Sequence, residues 1–127
     1  MNFLPATVAA YEDPIATVRL AGGAEVAVRT AGGGIRAGAE VTLGIRPEHM
    51  IGGGGTDAEI RGEVDVIERL GDESYLYVRL GEQGDVVVRG GGDSPAVKGE
   101  GIAIGIPAAA CHLFDAAGMT IDAPAQD

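Results

Sequence analysis

The sequence predicts an all-β domain, a small barrel of about eight to ten short strands with almost no helix. Short runs rich in Val and Ile alternate with polar residues, glycines separate these runs, and no window repeats its apolar residues with a helical period. The chain has 127 residues, 46% of them apolar, which fits one domain with its own core. The 22 glycines follow no collagen-like period, so we interpret them as turns.

The first half of the chain contains four predicted strands, at residues 7–10, 15–20, 25–29 and 41–45. Turn-forming residues bound each run, and residues 25–29 alternate two valines with Glu, Ala and Arg. Residues 51–57 include four consecutive glycines. We interpret this segment as a glycine-rich linker.

The second half shows the same order of elements, with strands predicted at residues 63–70, 75–80, 85–89 and 102–106. The second and third of these strands form a predicted hairpin across a glycine-containing turn. Residues 111–114 and 119–121 predict a short closing hairpin, and residues 108–110 predict a single helical turn.

An internal repeat relates the two halves. Residues 17–20 match residues 77–80, and the match continues from residues 25–29 to 85–89; after one added residue, 41–45 match 102–106. His49 and His112 also follow these last strands at similar places. The alternative is chance similarity, which a composition rich in Val and Gly makes common.

A duplication has a consequence for folding, because a half of this size can hardly bury both faces of its strands alone. We therefore expect the two halves, about residues 1–50 and 58–122, to pack together or exchange strands. The result would be one domain over residues 1–127 with approximate internal symmetry.

Charge and composition exclude several classes of protein. The formal net charge is −10, with 9 basic and 19 acidic residues, which argues against binding to nucleic acid or to an anionic membrane surface. Cys111 is the only cysteine, so no internal disulfide is possible and a reducing compartment is expected. No apolar stretch is long enough to span a bilayer, and residues 1–14 lack the basic start of a signal peptide. These features predict a cytoplasmic location without insertion into the membrane.

The sequence contains no recognisable catalytic or cofactor site. A phosphate-binding loop needs a Lys followed by Ser or Thr, but the only lysine, Lys98, precedes Gly99. Cys111, His112 and His49 do not make a zinc site, because adjacent residues of a strand point to opposite faces. No spacing supports a nucleophile with its base. We therefore predict that this chain is not an enzyme and holds no metal or cofactor.

Two charged corners are the candidate interaction sites. Arg46, Glu48 and His49 follow a buried-looking strand, and Pro47 fixes the backbone between them. This corner either closes on itself through an ion pair or contacts another domain or subunit. Residues 68–73, which begin with Glu68, form a charged turn that is either only a turn or part of a binding surface.

Several motifs taken in order resemble one known family. They are Met1-Asn2-Phe3-Leu4-Pro5, Leu43-Gly44-Ile45-Arg46-Pro47-Glu48-His49, Gly62-Glu63-Val64 through Glu68-Arg69-Leu70-Gly71-Asp72-Glu73, Ile104-Gly105-Ile106-Pro107 and Cys111-His112-Leu113-Phe114. The series resembles the TOBE domain, the C-terminal, OB-like domain of ATP-binding subunits of carbohydrate ABC importers of the maltose and glycerol-3-phosphate type. The resemblance covers essentially the whole chain.

The resemblance implies a non-catalytic accessory and regulatory domain of an ATPase subunit. Its partners would be a second copy of the subunit, the ATPase domain of the parent and, through it, the membrane-spanning permease subunits at the inner face of the membrane. ATP and Mg²⁺ would bind the ATPase domain, whose motifs are missing from this sequence, so we expect the chain to be an excised C-terminal portion. Gly38, Gly44, Gly62 and Glu68 match places near the regulatory and dimer surfaces of the family.

Two other functions stay open at this point. Related duplicated barrels bind oxyanions such as molybdate, so a free-standing barrel that binds an oxyanion or a sugar is the main alternative. A hydrolase using Cys111 is a third hypothesis, although the sequence offers no partner at a suitable spacing.

Overall fold

A computed structural model describes residues 1–31, 35–54, 58–81, 84–92 and 95–122, and it confirms the all-β prediction. The strands are β1 (Asn2–Glu12), β2 (Ile15–Leu20), β3 (Glu25–Arg29), β4 (Glu40–Ile45), β5 (Ile51–Gly52), β6 (Ala58–Leu70), β7 (Glu73–Arg79), β8 (Asp85–Gly91), β9 (Gly101–Ile106) and β10 (His112–Phe114). The 3-10 turns that lie wholly within the described ranges are Pro47–His49 and Ala108–Ala110. None of the described helices has the length and hydropathy needed to cross a membrane.

The strands form two antiparallel five-stranded sheets that exchange one strand each. The first sheet has the order β10-β4-β1-β2-β3, and the second has the order β5-β9-β6-β7-β8. The short strand β5 therefore leaves the first half to pair with β9, and β10 leaves the second half to pair with β4. The first 3-10 turn packs against β8, and the second packs against β3. This is the interdependence that halves of this size require.

The long strands β1 and β6 share an irregularity at the same place. The register shifts between Val8 and Ala10 in β1 and between Val64 and Val66 in β6. At each shift a glycine with positive φ donates its N–H to the strand: Gly38 to Val8 O at 2.7 Å and Gly99 to Val64 O at 2.7 Å. The left-handed conformation of these turns explains the glycines.

One continuous core draws side chains from both sheets. Strand β1 alternates buried and exposed residues over its first seven positions, as expected for a strand with one solvent face. Leu4, Val18, Leu43, Val78 and Ile104 are fully buried members of the core. Cys111 packs in the same core, where its thiol serves as a small apolar side chain.

The structure corrects three details of the sequence interpretation. Residues 51–52 of the predicted linker form strand β5, while residues 55–57 lie outside the described part of the chain. Residues 119–121 contribute one isolated bridge, Phe114 to Thr120, and not a strand. The two histidines are not equivalent, because His49 ends a 3-10 turn and His112 begins β10.

A charged outer face as the candidate interaction site

The corner at Arg46–His49 is a 3-10 turn with a buried anchor. Pro47 occupies the first helical position, which its fixed φ suits. The His49 N–H donates to Arg46 O at 3.0 Å, and the Met50 N–H donates to Pro47 O at 3.3 Å. Met50 is buried, whereas Arg46, Glu48 and His49 are exposed. The turn therefore presents three charged or titratable side chains to solvent.

An internal ion pair does not hold this corner. Among the described residues, the ion pairs include none between Arg46 and Glu48. The pKa of Glu48 is lowered mainly by the hydrogen bond with its own main-chain N–H. Desolvation opposes this shift, and the charges of His49, Arg89 and Arg46 lower the pKa further. The contribution of Arg89 shows that the corner lies close to β8.

The second predicted segment lies at the tip of the β6–β7 hairpin. Glu68 pairs with Tyr75, and the pairing continues through two more residue pairs to Leu70 and Glu73. The corresponding β1–β2 hairpin ends at Glu12 and Ile15, without this extension. The second half therefore carries a longer hairpin, which projects the charged turn beyond the rest of the sheet.

Arg89 connects the two segments. In the register of the second sheet, Arg89 lies beside Tyr75, which in turn lies beside Glu68. Arg89 Nη1 is 3.5 Å from Glu73 Oε1, and the Tyr75 hydroxyl donates to Glu73 Oε2 at 3.1 Å. This hydrogen bond, together with the charge of Glu73, raises the pKa of Tyr75.

The fold thus brings both predicted corners to one surface. We call it the charged face, and it consists of Arg46, Glu48, His49, Glu68, Glu73, Tyr75 and Arg89. It borders an exposed apolar pair, Val66 and Tyr77, which are cross-strand partners with 48% and 37% exposure. Mixed charges beside exposed aromatic and branched side chains are typical of protein–protein contact surfaces.

Sequence reasoning missed Tyr75, Tyr77 and Arg89 as members of this surface. The alternation of residues 75–79 predicts which of them face solvent, but not what lies beside them. Arg89 approaches Glu48 only because the 3-10 turn of the first half crosses to the second sheet. That crossing is a tertiary feature without a local sequence signal.

The three predicted glycines lie elsewhere, and each has a local packing reason. Gly38 is an exposed left-handed turn residue with open space where a Cβ would lie. At Gly44, a Cβ would lie 2.8 Å from Met1 Sδ and 2.9 Å from Phe114 Cε2. At Gly62, a Cβ would lie 2.6 Å from Arg79 O. The structure does not gather these glycines on the charged face.

The residues with catalytic or metal-binding chemistry are dispersed. Within the described part of the chain, no group of three or more His, Cys, Asp or Glu residues could hold a metal ion. Cys111 Sγ donates to Pro107 O at 3.4 Å. His112 Nδ1 lies 3.2 Å from Asp122 Oδ2. These contacts tie β10 and its flanking residues to the fold.

Family models match both halves of the chain. The TOBE domain model matches residues 43–114, and the MalK OB fold domain model matches residues 1–50. Among curated proteins, the chain is similar to the maltose/maltodextrin import ATP-binding proteins MalK of three bacteria. It is 36% identical to that of Vibrio parahaemolyticus over 119 residues and 35% identical to that of Vibrio cholerae over 119 residues, 93% of this chain in both cases. It is 35% identical to that of Salmonella typhi over 122 residues, 90% of this chain.

The chain spans about a third of the length of these relatives: 32% of the two Vibrio proteins and 31% of the Salmonella protein. The match covers their TOBE and OB-fold part and not an ATPase domain, so the residues of this chain form a non-catalytic domain.

The fold is also similar to that of a solved structure, the cytoplasmic molybdate-binding protein ModG with molybdate bound. The TM-score is 0.74, at 16% sequence identity, over 88% of this chain and 94% of that chain. At this identity the likeness concerns the fold alone.

Proposed function

This chain belongs to the TOBE domain family, and we propose that it is the accessory and regulatory domain of the ATP-binding subunit of a sugar-type ABC importer. Its similarity to MalK proteins over 93% of its length carries the proposal. In this role the domain supports dimerisation of the subunit and regulation of transport, and the ATPase domain of the parent binds ATP and Mg²⁺.

The proposed assembly has two direct contacts and one indirect one. Residues 1–127 act as a single domain of two interlocked halves. This domain joins the ATPase domain of the same subunit and a second copy of the subunit. Through the ATPase domain it reaches the permease subunits, which places it in the cytoplasm, peripheral to the inner face of the membrane.

The charged face is the proposed contact with the second copy or with a regulatory protein. A two-fold contact brings the same patch of both subunits together, so a patch that holds both charge signs can be self-complementary. Arg46 and Arg89 supply the positive charges, and Glu48 and Glu68 supply negative ones. The exposed Val66 and Tyr77 supply apolar area beside them.

Sedimentation of the purified chain over a range of concentrations tests this surface. We expect the wild-type chain to self-associate and Tyr77→Arg to abolish this, because a cation would replace the exposed ring that adds apolar area beside the charged face. Arg19→Glu is the matched control, since Arg19 is an exposed, ion-paired residue of the first sheet. Equal self-association of wild type and Tyr77→Arg would refute the surface, and ATP turnover by the chain would refute its non-catalytic role.

A second candidate function is supported by the likeness to the molybdate-binding protein. In this second function, the chain would be a free-standing barrel that binds an oxyanion or a sugar. Titration calorimetry with molybdate, tungstate and maltose separates the two functions. Saturable heat with one of these ligands favours the binding barrel, and its absence together with self-association favours the accessory domain.

A further inference from the structure

The first sheet holds a segment of its own chain between its two edge strands. We call residues 119–122 the closing segment. The Ile121 N–H donates to Leu113 O of β10 at 2.8 Å, and Ile121 O accepts from the Ala31 N–H, just beyond β3, at 3.1 Å. Asp122 forms a bridge with Thr30, and its Oδ1 accepts from the Leu113 N–H at 3.0 Å. The closing segment thereby pairs with both edges of the sheet.

The second sheet repeats these edges, and among the described residues no segment pairs with them as the closing segment pairs with the first sheet. Gly52 in β5 lies opposite Ile104, as Leu113 in β10 lies opposite Leu43. In the internal repeat, Gly90 of β8 corresponds to Thr30, the residue that follows β3. Gly52 is therefore the counterpart of Leu113, the residue that receives the closing segment.

The main chain of Gly52 is turned away from β9. The Gly53 N–H donates to Ala103 O at 2.8 Å, which makes these two residues a hydrogen-bonded pair of the β5–β9 ladder. Hydrogen-bonded and non-hydrogen-bonded pairs alternate, so Gly52 directs its N–H and C=O away from β9. Among the residues that the structure describes, none forms a hydrogen bond with these two groups.

A cleft of about 560 Å³ lies on this side of Gly52, within the size range of ligand pockets. Leu76, Val88 and Ile102 provide its apolar wall, and Arg89 lies at its rim. In the first sheet the buried side chain of Leu113 occupies this position. Its counterpart Gly52 has no side chain, which leaves room for a side chain of a bound peptide.

We propose that this cleft binds an extended peptide segment of a partner protein by adding a strand to the second sheet. The peptide pairs with Gly52 as the closing segment pairs with Leu113. It inserts a branched apolar side chain against Leu76 and Ile102 and follows it with a carboxylate that Arg89 attracts. Main-chain pairing supplies affinity and the side-chain pocket supplies specificity, as in other cases of strand addition. This inference does not depend on the proposed transport role.

The closing segment itself provides the probe. A blocked synthetic peptide with the sequence of residues 118–123, Gly-Met-Thr-Ile-Asp-Ala, is titrated into the isotopically labelled full chain while amide resonances are recorded. We expect saturable shifts at Gly52, Gly90 and Ile102. A peptide with an N-methyl group on its Ile should bind at least about tenfold more weakly, because it cannot donate to the Gly52 carbonyl.

Protein variants test the same cleft from the other side. Gly52→Leu places in the second sheet the side chain that Leu113 places in the first, and we expect it to weaken peptide binding at least about tenfold. Arg89→Ala leaves the sheet intact and should weaken binding several-fold, which keeps the test valid if Gly52→Leu does not fold. Arg19→Ala, in the first sheet, is the control and should leave binding unchanged.

Three results would overturn the proposal. One is the absence of saturable shifts at millimolar peptide. Another is a set of shifts confined to Thr30 and Leu113, which would mean that the peptide displaces the closing segment. The third is a shift of Gly52 that follows protein concentration without peptide, which would make a second copy of the chain the occupant.

Discussion

At the scale of single residues, Asn2 joins the two sheets, because its side chain forms the two hydrogen bonds that a neighbouring strand would form with one residue. Its Nδ2 donates to Val87 O at 2.8 Å, and its Oδ1 accepts from the Val87 N–H at 2.9 Å. Val87 belongs to β8, an edge strand whose main-chain groups would otherwise lack a partner on that side. One carboxamide thus satisfies both groups of an edge residue.

Replacing Asn2 should therefore destabilise the whole domain. We expect Asn2→Ala to lower the free energy of unfolding by about 1–3 kcal/mol, because it leaves buried or partly buried polar groups unsatisfied. Urea unfolding followed by circular dichroism measures the change. Thr7→Ala, an exposed position on the same strand, is the control and should stay within about 0.5 kcal/mol of wild type. Equal stability of the two variants would contradict the role of Asn2.

The family resemblance places Gly62 near an interaction surface, but the structure gives this glycine a packing role inside the sheet. A Cβ at Gly62 would lie 2.6 Å from both Arg79 O and Val78 Cγ1, and the main-chain oxygen cannot move without disturbing β7. Gly62→Ala should cost about 1–3 kcal/mol of unfolding free energy by overpacking. At Gly101, the nearest atom to an added Cβ is Gly62 O at 4.0 Å, so Gly101→Ala should be tolerated in the same urea experiment. A Gly62→Ala variant with an unchanged free energy of unfolding would show that β6 and β7 can separate locally.

At the scale of elements, the 3-10 turn and β8 are coupled through charge. The pKa of Glu48 lies below its ordinary value of 4.5, chiefly because of its own main-chain N–H and further because of His49, Arg89 and Arg46. A lowered folded-state pKa means that the charged form stabilises the fold above the unfolded-state pKa and that this contribution is lost as the pH falls through the folded-state pKa.

Glu48→Gln should therefore destabilise the domain near neutral pH and lose its effect in acid. Urea unfolding of wild type and variant at about pH 7 and about pH 3 measures the difference. We expect a small difference at the higher pH and a smaller one at the lower, where more of the carboxylate is protonated. A difference of the same size at both values would show that the carboxylate charge is not responsible.

The elements also show where sequence reasoning succeeds. Alternation of apolar and polar residues predicts β2, β3, β7 and β8 closely, because each has one buried and one solvent-exposed face. Strand β5 has no sequence signal, because it consists of two residues that are followed by glycines and it is defined by its pairing with β9. The charged corner at residues 46–49 was found from its composition, but its proximity to Arg89 depends on the exchange of strands between the halves.

At the scale of the whole molecule, the exchange makes each half incomplete alone. A chain ending at residue 54 would carry β5 without β9, and its β4 would lack β10. We expect a fragment of residues 1–54 to show no cooperative thermal unfolding by circular dichroism, whereas the full chain unfolds in one transition. A fragment that unfolds cooperatively would contradict the interdependence of the halves.

The assignment to a sugar importer is the central claim, and transport tests it most directly. The measurement is maltose uptake by cells whose own MalK protein has its matching C-terminal part replaced by this chain, compared with cells whose MalK protein ends before that part. Both proteins are checked for equal amount, and the protein that carries this chain is also checked for a folded β-domain. We predict uptake well above that of the truncated protein, because this domain restores the dimer contact. Uptake no greater than that of the truncated protein, with the replaced domain folded, would contradict the proposed function.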